Sequence, residues 1–282
     1  MNDLTEKKPV RHLLGLSGGK DSSALAIYIR DKYPEIHEKM EYFFSDTGAE
    51  LPETLEYIDK LEDYLCKPIV RLLPDGFKEN QIKKENSNEE DGLFGHYLKL
   101  HKNYLPSPQQ RWCTINLKLI PFERFVGNDE AISYIGIRAD EPDRVGYISS
   151  KPNIKTRMPF REDGLDKEDI FKILESSGIG IPEYYKWRSR SGCYFCFFQR
   201  KEEWIGLKKN HPDLFERAKK YEQLDEDTDI RYTWSSVGTL EELISRPDSV
   251  SSKKIIKKSK RLMDIVEDTD DDADGGCLIC TL

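Results

Sequence analysis

Six consecutive residues, Ser17-Gly18-Gly19-Lys20-Asp21-Ser22, gather hydroxyls, a cation and a carboxylate around two glycines. Such a run suits a polyanion. Glycines let the backbone close on phosphate oxygens, and the unpaired N–H groups and dipole of a helix start attract negative charge. Lys20 can neutralise phosphate oxygens, Ser17 and Ser22 can donate from their hydroxyls, and Asp21 can hold Mg2+ directly or through water. The Walker pattern is absent, so this is a different phosphate loop. The glycines could simply make a turn, but a run of small and charged residues at a strand end serves packing poorly.

A second group of residues carries sulfur. Cys193-Tyr194-Phe195-Cys196 and Cys277-Leu278-Ile279-Cys280 each set two thiols at metal-ligand spacing, and Cys113 stands 80 positions before Cys193. In a reducing compartment these are ligands or reactive thiols rather than disulfides. The sixth cysteine, Cys66, falls on an apolar helix face and is read as a buried small side chain.

The elements that must position these groups follow from periodicity. His12 to Leu16 reads as a buried strand, and after the glycines Ala24, Leu25, Tyr28 and Ile29 recur at helical spacing. Tyr42 to Ser45 is a second strand, Asp46-Thr47-Gly48 a turn, and Pro52 opens a helix with Leu55, Ile58, Leu61 and Leu65 on its apolar face. Ile69 to Leu72 is a third strand, Thr114 to Phe125 a helix, and Ala131 to Ile137 a fourth strand running into Gly136, Arg138 and a charged turn ending at Arg144. Strand–helix alternation predicts a parallel sheet with ligands at the carboxyl ends of its strands. Beyond Pro159 the pattern is helical, near Asp166 to Ser176, Glu202 to Lys208 and Pro212 to Glu222. The expected division is 1–160, an α/β domain carrying the polyanion loop; 161–266, a mainly helical region with the first C-x-x-C; and 267–282, an acidic flexible tail with the second. The polar stretch Lys78 to Asp91 reads as a mobile loop, and no internal repeat is visible.

With 37% hydrophobic and 34% charged residues in 282, the chain can bury a sizeable core. No apolar run is long enough to span a bilayer and no signal-like segment opens the chain, so a cytoplasmic protein without membrane contact is expected. A net charge of −8 argues against a nucleic-acid grip over the whole surface. The basic run from Lys253 to Arg261 is read mainly as a solvated face, with a nucleic-acid contact as the rival.

The run from Ser17 to Ser22 resembles the signature of PP-loop ATP pyrophosphatases, which split ATP between the α and β phosphates. Phe43 to Tyr57, Cys113 to Phe122 and Gly136 to Arg144 are similar to segments of the phosphoadenylylsulfate reductase branch. The resemblance implies a Rossmann-like, adenine nucleotide alpha hydrolase-like core. It places Leu16 to Ser22, Ser45 to Gly48, Gly136, Arg138 and Arg144 around ATP, with Lys20, Asp21, Lys118 and Arg138 in catalysis. Sulfonucleotide reductases commonly lack the full GGKDS, and this chain keeps Lys20 and Asp21, which favours ATP cleavage with Mg2+. By likeness to adenylylsulfate reductases and PP-loop thiolation enzymes, Cys113, Cys193 and Cys196 would hold a 4Fe-4S cluster, with zinc as the lesser choice. Cys277 or Cys280 would be the fourth ligand or a sulfur relay.

Ser191 to Glu222 resembles segments of reductase-like proteins in DNA-modification and defence loci. The implied activity is that of the Ssp and Dnd type of DNA phosphorothioation ATP pyrophosphatases in anti-phage defence. Adenylylation would activate a DNA backbone phosphate, a cysteine desulfurase would supply sulfur, and DNA-modification partner proteins would help grip DNA. The rivals are a tRNA thiolation enzyme, a sulfonucleotide reductase, and a nucleotide-binding sensor or scaffold within a defence complex.

Overall fold

In the computed structural model of the chain, residues 8–77, 92–146, 149, 151–225 and 230–246 are described. The Lys78–Asp91 stretch, the basic run, the acidic tail, Cys277 and Cys280 all lie outside them.

The frame is a five-stranded parallel sheet in the order β3-β2-β1-β4-β5. Its strands are β1 (Arg11–Gly15), β2 (Met40–Ser45), β3 (Ile69–Leu72), β4 (Ala131–Tyr134) and β5 (Ile154–Arg157). From β1 the chain winds outward through β2 to β3, then crosses to the other side of β1 for β4 and β5. The switch point therefore falls between β1 and β4, where a crevice opens beyond the strand ends.

Alternation along the strands covers both faces of the sheet. Leu14, Tyr42, Phe44 and Tyr134 share one apolar cluster with residues of α1 (Lys20–Lys32), α3 (Pro52–Leu65) and α8 (Lys167–Ser177). Leu13, Phe43 and Leu72 share another with Phe122 and Val126 of α6 (Ile120–Val126). Between α1 and α3 lies the short α2 (Pro34–Lys39), and α4 (Leu93–Leu100) and α5 (Trp112–Thr114) precede α6. A π-helical turn, Ile115–Leu119, joins α5 to α6 and carries Lys118; such turns are frequent at functional sites. The reading of Thr114 to Phe125 as one plain helix is corrected on this point.

The fourth strand stops at Tyr134 rather than Ile137, and Ile135 to Arg138 leave the sheet as a loop toward the switch point. Cys66 is also corrected. α3 ends at Leu65, so Cys66 sits beyond it in a left-handed conformation (φ 51°) and is exposed.

After β5 come α7 (Pro159–Glu162) and α8, which is started by a capping box between Asp166 and Asp169. A 3-10 turn (Glu183–Lys186), α9 (Lys201–Asn210), α10 (Pro212–Lys220), the β6 (Gln223–Asp225) and β7 (Ile230–Tyr232) hairpin and α11 (Leu240–Ser245) follow. Tyr184, Tyr194, Phe195, Trp204, Phe215 and Trp234 form an aromatic cluster with Leu93, Phe94, Leu105 and Trp112. Both the α8-containing cluster and this one draw residues from either side of position 160. The later chain is thus packed against the strand ends.

Candidate active site

The Ser17–Ser22 run, the candidate phosphate loop, follows β1. Leu16 is tied to β2 by its N–H to the Phe43 carbonyl, 2.7 Å, and Gly19 caps α1 in an extended conformation. Gly18 takes φ +70°, and any Cβ there would lie 2.6 Å from Thr54 Cγ2, so both space and backbone select glycine. The loop is stitched from within. Ser22 Oγ accepts from the Ser17 N–H at 3.2 Å, Ser17 Oγ accepts from the Gly19 N–H at 3.3 Å, and the Ser23 hydroxyl donates to the Gly19 carbonyl at 2.8 Å.

At the switch point, β4 delivers Arg138 to this loop. Lys20 Nζ lies 3.1 Å from Asp21 Oδ2, and Arg138 Nη1 lies 3.0 Å from Asp21 Oδ1. Lys20 and Arg138 are 4% and 3% exposed. Burial pushes the Asp21 carboxyl up, but Lys20, Arg138 and Arg144 outweigh it and hold the group at about 2. Burial works against the Arg138 cation too, yet Asp21, Glu141 and Asp140 raise its pKa. Gly136 permits the approach, since a Cβ would meet the Asp21 carbonyl oxygen at 2.9 Å. Arg144 is paired with Glu141, one step back from the loop. Both Asp21 oxygens face cations, so Asp21 is the centre of an ion-pair triad.

The turn after β2 closes the adjoining wall. Ser45 ends that strand opposite Leu72, Asp46 accepts from the Gly48 N–H at 2.9 Å, and Gly48 takes φ +70°. Glu50 folds back over this turn, accepting from the Thr47 N–H, from the Thr47 hydroxyl at 2.5 Å and from the Ala49 N–H. Burial, then the charge of Asp46, raises the Glu50 carboxyl to about 7.

The later chain completes the site. The Tyr184 hydroxyl donates to the Gly18 carbonyl at 2.8 Å, and the Tyr185 hydroxyl accepts from the Lys20 N–H at 3.0 Å. Ser191 Oγ lies 3.2 Å from Ser17 Oγ, and Cys193 Sγ lies 3.2 Å from Thr47 Oγ1. Arg188, fully buried, holds the segment by donating to the carbonyls of Gly192 at 3.3 Å and Cys193 at 2.8 Å. Glu203 accepts from the Ser189 N–H and hydroxyl.

Cys113, Cys193 and Cys196 line one pocket with Thr47, Lys118, Gly192 and a set of aromatic rings. Lys118 and Gly192 also line a smaller cavity on the phosphate-loop side, with Leu16, Ser17, Ser45, Glu50, Thr54 and Ser191. The thiol pocket and the phosphate loop therefore share a wall. Burial pushes the Cys193 thiol up to about 12, helped by the Glu50 charge and opposed by Lys118. Metal ligands must be thiolates, and among the described residues no group of three or more His, Cys, Asp or Glu side chains is arranged to hold a metal. The three cysteines are gathered in one pocket but, among the described residues, not drawn into a metal-holding group.

The sequence-based residues thus converge: Leu16 to Ser22, Ser45 to Gly48, Lys118, Gly136, Arg138 and Arg144 surround the switch-point crevice, and three cysteines border it. The sequence reading missed Glu50, Thr54, Tyr184, Tyr185, Arg188 and Ser191. Ser191 stands two residues before Cys193, and Glu50 and Thr54 flank Pro52, but nothing in the pattern marks the two tyrosines or Arg188.

Residues 11–159 match the phosphoadenosine phosphosulfate reductase domain, more than half of the chain. The chain belongs to this family. It is a family of nucleotide-using enzymes, and the five-stranded parallel sheet is the architecture that strand–helix alternation predicted. An uncharacterized protein of Methanocaldococcus jannaschii is 26% identical over 223 residues, covering 75% of this chain and 41% of the relative. An uncharacterized nin region protein of Escherichia phage lambda is 26% identical over 212 residues, 70% of this chain and 68% of its own. The chain thus spans about two fifths of the archaeal relative's length. Among solved structures, the phosphoadenylyl-sulfate reductase of Candida auris in a phosphate complex is similar with a TM-score of 0.46 and 14% identity, over 67% of this chain and 84% of that one. The U34-tRNA thiolase NcsA of Methanococcus maripaludis with its 4Fe-4S cluster gives 0.42 and 15%, over 78% and 74%. No helix among the described residues is long and apolar enough to cross a membrane.

Proposed function

We propose that this phosphoadenosine phosphosulfate reductase family member is an ATP pyrophosphatase that activates an acceptor for sulfur insertion. The carrying observation is the shared wall: Lys118 and Gly192 border both the phosphate-loop cavity and the pocket of Cys113, Cys193 and Cys196. An acceptor oxygen attacks the α phosphorus of ATP, giving an adenylylated acceptor, a mixed phosphoric anhydride for a phosphate acceptor, and releasing pyrophosphate. The phosphate loop and Lys20 bind the leaving pyrophosphate, and Arg138 and Lys118 balance charge developing around the α phosphorus. Sulfane sulfur carried on Cys193 then attacks the activated centre and expels AMP. A second thiol of the pocket frees the product by forming a disulfide with Cys193, which an external dithiol reductant resets.

The acceptor in this reading is a DNA backbone phosphate, supported by the resemblance of Ser191 to Glu222 to DNA-modification proteins. A desulfurase-class enzyme is the sulfur donor. The test supplies ATP, duplex DNA, cysteine and a cysteine desulfurase, and analyses digested DNA for phosphorothioate linkages. Linkages that need both ATP and Cys193 support the reading. Sulfite production from an adenylylsulfate without ATP cleavage would replace it with reduction.

A further inference from the structure

The phosphate-loop cavity contains a donor that the chemistry above leaves unused. Thr54 lies in the first turn of α3 and is 1% exposed. Its N–H is satisfied by the Leu51 carbonyl at 2.9 Å, and its methyl carbon packs against Gly18, but its hydroxyl has no hydrogen-bond partner. Buried hydroxyls are nearly always paired, because an unpaired one has surrendered water for nothing. Such an atom in a cavity wall points to a ligand.

The cavity says which kind. Thr54 shares it with Ser17, Ser45, Glu50, Lys118 and Ser191, and its volume is about 20 Å3, room for one oxygen atom. Lys118 lines it too, and Ser17 and Ser191 bring hydroxyls that lie 3.2 Å apart. The Glu50 carboxylate also lines it, with Oε1 held by the Thr47 N–H and hydroxyl and Oε2 by the Ala49 N–H. Two hydroxyls, a cation and an unpaired donor fit an anionic oxygen.

We propose that Thr54 is a ligand-binding residue whose hydroxyl donates to a non-bridging oxygen of a phosphoryl or sulfuryl group reaching this cavity from the phosphate loop. The assignment rests on the phosphate-loop reading above. It gives α3 a direct part in ligand binding, beyond its packing against the sheet. Ser191, on the segment that carries Cys193, lines the same cavity and donates to Ser17 Oγ, so a ligand held there lies between the phosphate loop and the thiol segment.

The test is calorimetric titration of the full chain and of Thr54→Val with ATP, pyrophosphate and sulfate, with urea midpoints measured alongside. Valine keeps the shape and removes only the hydroxyl, so a merely structural threonine would be replaced at no loss of stability and no loss of binding. The expected result is an unchanged or higher midpoint with ATP or sulfate bound roughly tenfold or more weakly. Selective loss of ATP identifies a phosphoryl oxygen, and selective loss of sulfate a sulfuryl one. Should valine fail to fold, Thr54→Ala and Thr54→Ser isolate the hydroxyl, and serine should bind roughly tenfold more tightly than alanine. Wild-type affinity for all three ligands in Thr54→Val overturns the assignment and leaves the proposed function standing. A wild-type chain that binds none of them overturns both.

Discussion

Asp21→Asn removes the charge at the centre of the site while keeping the shape. Asp21 sits between Lys20, 3.1 Å away, and Arg138, 3.0 Å away, both buried cations. A carboxyl held at about 2, against an ordinary value near 3.8, contributes about 2 kcal/mol of stability at neutral pH. Taking the carboxylate from buried cations costs about 3–5 kcal/mol in comparable pairs, and Asn recovers part through its amide oxygen, so the expected loss is about 3 kcal/mol. The sign in pH is fixed by the depressed value. The contribution is complete above about 3.8 and fades as pH falls toward 2, so wild type and variant should differ equally from pH 7 down to about 4 and converge below. Urea unfolding of both proteins across that range measures it. Pyrophosphate should recover part of the loss by lending the two cations a negative partner. Equal midpoints at pH 7 would refute the triad as a stabilising element.

Three further outcomes follow from the same geometry. Gly136→Ala sets a side-chain methyl 2.9 Å from the Asp21 backbone carbonyl oxygen, and should cost about 1–3 kcal/mol and weaken ATP binding, read as a reduced ATP-dependent rise in Tm. Arg188→Met removes the donors to the Gly192 and Cys193 carbonyls, and should destabilise the chain by about 3 kcal/mol and speed hydrogen exchange at residues 189–193; unchanged exchange there would contradict the role. Glu50→Gln removes a negative charge beside the Cys193 thiol, so its value should fall from about 12 and alkylation at pH 8 should quicken, followed by peptide mass spectrometry with exposed Cys66 as the fast reference; an unchanged Cys193 rate contradicts the coupling.

The sheet and phosphate loop were legible because their signals are local. His12 to Leu16 and Tyr42 to Ser45 are apolar runs ending in glycine or acidic turns, and the helices after them carry apolar positions at helical spacing. β5 was not legible, since only Ile154 of its four residues is buried and an edge strand shows no alternation. α4 follows a long polar stretch and has eight residues, too short for its period to stand out. The π turn at Lys118 depends on backbone hydrogen bonds that composition does not encode. The same limit applies to the site. Ser17 to Ser22 announces itself, whereas Tyr184, Tyr185 and Ser191 touch the loop only because the aromatic cluster around Trp204 and Trp234 docks the later chain at the strand ends. Such contacts span more than 160 residues of sequence. The exposed position of Cys66 turns on where α3 stops, one residue before it.

Cleavage of ATP between its α and β phosphates at the Ser17–Ser22 loop is read most directly from its products. Anaerobically prepared protein, incubated with α-labelled ATP, Mg2+ and duplex DNA, should yield AMP and pyrophosphate in equal amounts, and Lys20→Ala should abolish both. ADP with phosphate, or ATP left intact with DNA, RNA and a desulfurase present, would contradict it.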